Sequence, residues 1–275
     1  MTMVKRLTVM FLSLMLALML VIMFPISVLA ASFELSASAK TAFDKMIASG
    51  SSTSASLMSN HYVNIVKLQQ QNQEWDNQIK ALHYTNEETL IALKKQIQLI
   101  DSNKLTTLQS QLTQARERYK PVFSMYEAIN QQKTIAKKLN NKDLYTLLQS
   151  QSESMKIAVQ VARADIRNKE SLYTTAKSTT AKTKKTLRAT LDGIAPLKVQ
   201  IKVSKNAAST TQKKFTAETS TFKQSIKNGN ISTTLRSLEA LLTQAKKVIE
   251  HKQKTYSLEQ KISELQRKVQ SQLTS

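Results

Sequence analysis

The sequence predicts an all-α fold, an elongated antiparallel bundle or coiled-coil rod of long helices joined by short turns. Three observations predict it. Only three glycines and three prolines occur among 275 residues, too few for the turns of a sandwich, a barrel or a doubly wound sheet. Apolar residues recur at spacings that alternate three and four, the seam of helices lying side by side. Short polar stretches interrupt that seam at a few widely separated points, as joints between antiparallel neighbours do.

The first element is an export signal. Lys5 and Arg6 precede the apolar run Leu7 to Phe24, and Pro25 through Ala31 ends in small residues, the order of a secretory signal peptide. Cleavage is expected after Ala30, or after Ala31. The alternative is a retained anchor, because the run is about as long as a short transmembrane helix. With no cysteine in the chain, disulfides and a lipid-bearing cysteine are excluded. The reading is a secreted protein associated with the cell envelope, and the length of the signal suits a Gram-positive exporter.

Residues 31–54 are expected to hold a short helix over 35–48, ended by Gly50 in the Ser-rich linker SGSSTS. A helical coiled-coil domain then fills 55–275. Residues 55–100 fit one helix on the near-continuous seam Trp75, Ile79, Leu82, Leu90, Leu93, Ile97. Thr85 with Glu88 instead reads as a capping box that starts a helix near Asn86. Helix 104–138 follows from the seam Leu105, Leu108, Leu112, Ala115, Tyr119, Val122, Tyr126, Ile129, Ala136, and runs through Pro121 as a kink. Helices 143–192, 196–227 and 231–273 come from similar runs, the last with a slip of register after Tyr256 that does not end it.

Three joints share one pattern: Ile100-DSNK-Leu105, Leu139-NNKD-Leu144 and Ile226-KNGN-Ile231. Asn103, Asp143 and Asn230 are placed to cap the following helices, and Gly229 to end the preceding one in left-handed conformation. At the fourth joint, Gly193 is expected to stop one helix and Pro196 to begin the next. Helix 143–192 spans about 75 Å and helix 196–227 about 48 Å at the helical rise. The N-terminal half of the former is therefore expected to pair with 104–138 and its C-terminal half with 196–227.

Charge is uneven. The chain carries 40 basic and 19 acidic residues, yet residues 31–110 hold seven of each. Within 171–217 ten cations, Lys177, Lys182, Lys184, Lys185, Arg188, Lys198, Lys202, Lys205, Lys213 and Lys214, face Asp192 alone. With a hairpin at Gly193 they gather at one strongly positive pole, and Lys246, Lys247, Lys252, Lys254 and Lys261 run alongside. The segments 174–186 and 206–214 put Ala, Thr and Lys where leucine belongs, so this pole is expected to fray. Clustered like charge favours a polyanion that neutralises it, in a salt-sensitive manner. Outside a Gram-positive cell that means an anionic wall polymer or a membrane surface. Nucleic acid bound here is read without sequence specificity, because aromatic interleaving and arginine are scarce.

No enzyme, cofactor or metal is read from the chain. His61, His83 and His251 lack metal-ligand spacing, and the sequence has no Gly-rich phosphate loop or nucleophile motif. Trp75 and the tyrosines at 119, 126, 173 and 256 fall on seam positions and read as core.

The joints IKNGNISTTL and LNNKDLYTLL resemble those between helical hairpins in the basic, all-helical N-terminal regions of Bacillus-type surface-layer proteins. The resemblance is architectural, covers roughly 100–275 and transfers no individual binding residue; the family's β-rich assembly domain is missing. It implies a non-enzymatic protein that binds an anionic secondary cell-wall polymer. Two alternatives stand beside it. One is a secreted holdase whose cationic hairpin tips clasp client proteins. The other is a coiled-coil scaffold that meets a protein partner or a second copy through seam residues such as Leu258, Ile262, Leu265 and Val269.

Overall fold

A computed structural model describes residues 33–274. The expected export segment 1–30, with its cleavage after Ala30 or Ala31, lies outside the described residues. Six helices make up nearly all of the described chain: α1 (Ala37–Ser49), α2 (Ser52–Leu99), α3 (Ser102–Lys138), α4 (Lys142–Asp192), α5 (Ile194–Lys227) and α6 (Ile231–Thr274). The fold is an all-α helical bundle, with no strand among the described residues.

Local chemistry sets the helix ends. Ser36 Oγ accepts the Ala39 N–H to start α1, and Ser51 Oγ accepts the Ser54 N–H to start α2, both at 3.3 Å. Serine at these positions satisfies amides that have no helical partner. Only Gly50 and Ser51 separate the two helices, so the expected linker through residue 54 is largely helix. α2 runs past Thr85 and Glu88 unbroken. Packing overrides the capping box there, because Asn86 is buried and accepts Ser263 Oγ on its Oδ1 at 2.7 Å and Gln266 Nε2 on its backbone carbonyl at 2.6 Å. α3 likewise runs through Pro121.

The joints fall into two kinds. At residues 139–141 and 228–230 the chain reverses by the same device. Asn140 (φ 54°) and Gly229 (φ 67°) take left-handed backbone. Their N–H groups bond Lys137 and Ile226 carbonyls, and the next residues, Asn141 and Asn230, bond back to Ala136 and Ser225. This paired pattern closes the helix on itself. The same asparagines then cap the following helix, Asn141 Oδ1 accepting Leu144 N–H at 3.0 Å and Asn230 Oδ1 accepting Thr233 N–H at 2.9 Å. The cap of α4 is therefore Asn141, with Asp143 in the first turn.

The other two joints do not reverse the chain. At Ile100 and Asp101 the helix breaks and restarts at Ser102; the cap position is Asp101, not Asn103, and makes no side-chain cap. At the fourth joint Gly193 stays in right-handed helical backbone (φ −60°, ψ −13°) and Ile194 opens the next helix at once. The hairpin expected there is not formed. Pro196 has no N–H to give the Asp192 carbonyl, so the ladder loses a bond without a turn being made. Gly193 serves packing instead: a Cβ on it would sit 3.3 Å from Leu265 Cδ1.

The described chain groups into two compact units. The first comprises the described chain from Phe33 to His83 with Lys198–Gln260. Here α2 and α6 run parallel, as Asp76–Lys252, Trp75–Tyr256 and His83–Glu259 contacts show. α5 runs against α6, Ser204 Oγ bonding the His251 carbonyl and Ser225 Oγ meeting Thr234 Oγ1. Phe33, Phe43, Met58, Ile65, Phe222, Leu238 and Leu241 form the core. Phe33 stacks on Phe222 with ring centroids 5.3 Å apart, anchoring the start of the described chain.

The second unit comprises Tyr84–Leu197 with the described chain from Lys261 to Thr274. α3 and α4 lie antiparallel, with Asn130 Oδ1 accepting Ser152 Oγ at 2.9 Å and Arg116 paired with Glu170 at 2.9 Å. α4 then continues past the α2–α3 joint. Thr180 Oγ1 donates to Asp101 Oδ2 at 2.6 Å and Lys184 Nζ to the Gln98 carbonyl at 2.9 Å. The C-terminal half of α4 thus packs on this joint and not on a returning helix 196–227. Of the seam residues Leu258, Ile262, Leu265 and Val269, the first two and Val269 are buried and Leu265 is half-buried.

Candidate functional site

The candidate cations occupy two successive helices, not the facing arms of a hairpin. Lys177, Lys182, Lys184, Lys185 and Arg188 lie on α4, and Lys198, Lys202, Lys205, Lys213 and Lys214 on α5. Because Gly193 keeps the chain helical, no hairpin end gathers them, and the expected single pole is replaced by a basic run on each helix.

Each run is arranged by the seam beneath it. On α4, Thr180 and Leu187 point inward, which leaves Lys177, Lys182, Lys185 and Arg188 exposed. Lys184 is half-buried and held by the Gln98 carbonyl. Lys177 also rests over the Tyr173 ring, 5.9 Å from its centroid. On α5, Ile201, Ser204, Thr211 and Phe215 are buried, and Lys202, Lys205, Lys213 and Lys214 are exposed while Lys198 is half-buried. Among the described residues, no carboxylate lies within ion-pair distance of Lys177, Lys182, Lys185, Arg188, Lys202, Lys205, Lys213 or Lys214. Apart from the Tyr173 ring beside Lys177, their charge is offset by water and mobile ions.

The thin seam under these runs is polar, not empty. Thr180 and Ser204 turn their hydroxyls to Asp101 and to the His251 carbonyl, and Thr211 bonds Ala207 one turn back. Lys252 stands apart from the other cations of α6. It reaches Asp76 Oδ2 at 2.6 Å and the Asn72 carbonyl at 3.2 Å, and burial pushes its ammonium pKa below the usual lysine value, with Asp76 opposing. It is a packing residue, not a member of the basic face.

Two features had no signal in the sequence. Glu259 is fully buried and accepts His83 Nδ1 at 2.9 Å; a charge-bearing residue on an apolar seam becomes visible only when its cross-helix neighbour is known. In the first unit a cleft of about 490 Å³ opens between Phe33, Tyr62, Val66, Asn72, Gln212 and Phe215. Asn72 Oδ1 is buried and has no hydrogen-bond partner among the described residues, so it presents an acceptor to any N–H or O–H donor that reaches it. Among the described residues no three histidine or carboxylate side chains converge where a metal ion could sit, and no helix is long and apolar enough to cross a membrane.

Comparison with protein families, with characterised proteins and with solved structures finds no match to this chain.

Proposed function

We propose that this is a secreted, non-enzymatic helical binding protein whose lysine-rich runs on α4 and α5 engage an anionic polymer of the cell envelope. The observation that carries the reading is the set of exposed cations without carboxylate partners. A folded chain gains nothing from such clustering and pays in self-repulsion, so a polyanion that replaces their counterions binds favourably. The flexible lysine ammonium suits a polymer with irregularly spaced phosphates or carboxylates better than a rigid bidentate ligand. The resemblance of the joints to those of Bacillus-type surface-layer proteins points the same way and makes secondary wall polymer or teichoic acid the natural ligand class.

The test is binding of purified wall teichoic acid to the wild-type chain and to a variant with Lys182, Lys185, Lys202, Lys205 and Lys213 replaced by glutamine. All five are exposed, so the fold is kept. Affinity is expected to fall steeply with salt for the wild type and to be lower, with a shallower salt dependence, in the variant. Equal binding by the two proteins at every salt concentration contradicts the proposal. Protein capture that survives high salt and ignores the substitutions favours a client-holding role instead.

A further inference from the structure

The reversal between α3 and α4 carries a surface that the basic runs do not explain. Ile135 is 56% exposed, Leu139 71%, Leu144 41% and Leu147 56%. The first two lie four residues apart, Ile135 in the last turn of α3 and Leu139 at its C-cap, and the other two lie three apart in the first two turns of α4, so each pair shares a face. Nothing in the turn needs them. Its backbone groups are satisfied by Asn140 and Asn141, and the seam at this end is closed by Ala136 and Leu148, both buried. Four large apolar side chains left in water at one tip mark a surface that another phase covers.

Charge identifies the phase. Lys137, Lys138 and Lys142 are exposed around the same tip and have no carboxylate partner among the described residues, and Asp143 is the one acid beside them. A soluble polyanion offers these lysines their counter-charge but has no apolar layer to receive leucine and isoleucine. A second copy offers an apolar face but brings its own lysines against these. An anionic bilayer offers both: acyl chains under a layer of negative headgroups, into which leucines insert while lysine stems extend to the surface. We infer that the α3–α4 tip docks peripherally on an anionic lipid surface, with Ile135, Leu139, Leu144 and Leu147 entering the headgroup boundary and Lys137, Lys138 and Lys142 holding the headgroups. No described helix is apolar enough to go further and cross.

The chain has no cysteine, so Thr146→Cys in the full-length protein gives a single site for an environment-sensitive dye between Leu144 and Leu147. Mixed with vesicles of phosphatidylcholine and phosphatidylglycerol at three to one, the dye is expected to shift to the blue, and with pure phosphatidylcholine it is not. Replacing Ile135, Leu139 and Leu144 by glutamine keeps every charge and is expected to weaken partitioning roughly ten-fold or more, while circular dichroism melting stays unchanged. Replacing Lys137, Lys138 and Lys142 by glutamine is expected to remove the preference for phosphatidylglycerol. A dye at Lys182→Cys separates this site from the basic runs. Response at 182 without response at 146, or a response at 146 that survives loss of the apolar residues, overturns the inference. So does a shift that depends on protein concentration without vesicles, which assigns the tip to a second copy.

Discussion

Asn140 and Gly229 hold the same left-handed position in two reversals of the chain, and that equivalence has a measurable consequence. Glycine adopts this backbone without a Cβ clash, whereas asparagine bears part of that cost. Asn140→Gly is expected to raise unfolding free energy by up to about 1 kcal/mol, and Gly229→Ala to lower it by about 1 kcal/mol. No atom lies within 4 Å of a Cβ at residue 229, so the second effect is purely one of backbone. Urea midpoints at unchanged slope read both changes, and equal signs would refute the description of the turns. Lys252 supplies the second test at this scale. Its folded pKa lies below the unfolded value of 10.5, so between the two the unfolded chain binds more protons and stability rises with pH. Lys252→Met is expected to abolish that alkaline rise in midpoint relative to wild type. At neutral pH it is expected to change stability by less than about 1 kcal/mol, since Asp76, 52% exposed, remains hydrated. A variant that keeps the rise contradicts a partly desolvated ammonium at this position.

The helices themselves were legible because their seams are long and regular, and Leu112, Ala115, Leu148, Ala162 and Leu187 are buried where the three-four spacing puts them. The direction of the chain between helices was less legible. Three joints look alike as polar quartets, yet only those with Asn140-Asn141 and Gly229-Asn230 pair a left-handed residue with a capping asparagine. Asp101 is followed by Ser102, which enters the helix directly, and Gly193 is used for its small size against Leu265. Glycine before proline thus read as a turn when the tertiary neighbour made it a close contact. The candidate cations were legible one by one, but their arrangement depended on that joint. The polar seam beneath them gives a prediction for the elements. Amides in 174–186 and 206–214, resting on Thr180, Ala207, Ala208 and Thr211, are expected to exchange hydrogen faster than those around Phe222 and Leu238–Ile249, where large side chains are buried. Uniform protection along α4, α5 and α6 counts against it.

Across the whole molecule, apart from Lys5 and Arg6, the basic excess is carried beyond residue 110, whereas residues 31–110 balance seven cations with seven acids. A chain of this kind has few chemical options: long helices closed by asparagine caps, seams of aliphatic and hydroxyl side chains, and lysines held outward on α4 and α5. On the proposed reading these parts make a binding surface whose strength is set by ionic strength. The most direct measurement is pelleting of the protein with native cell-wall sacculi and with sacculi stripped of teichoic acid and secondary polymer, across a salt series. Binding to native walls that is lost on stripping and by moderate salt is the predicted result. Equal pelleting with stripped walls, or none with either, contradicts the proposed role in binding an anionic envelope polymer.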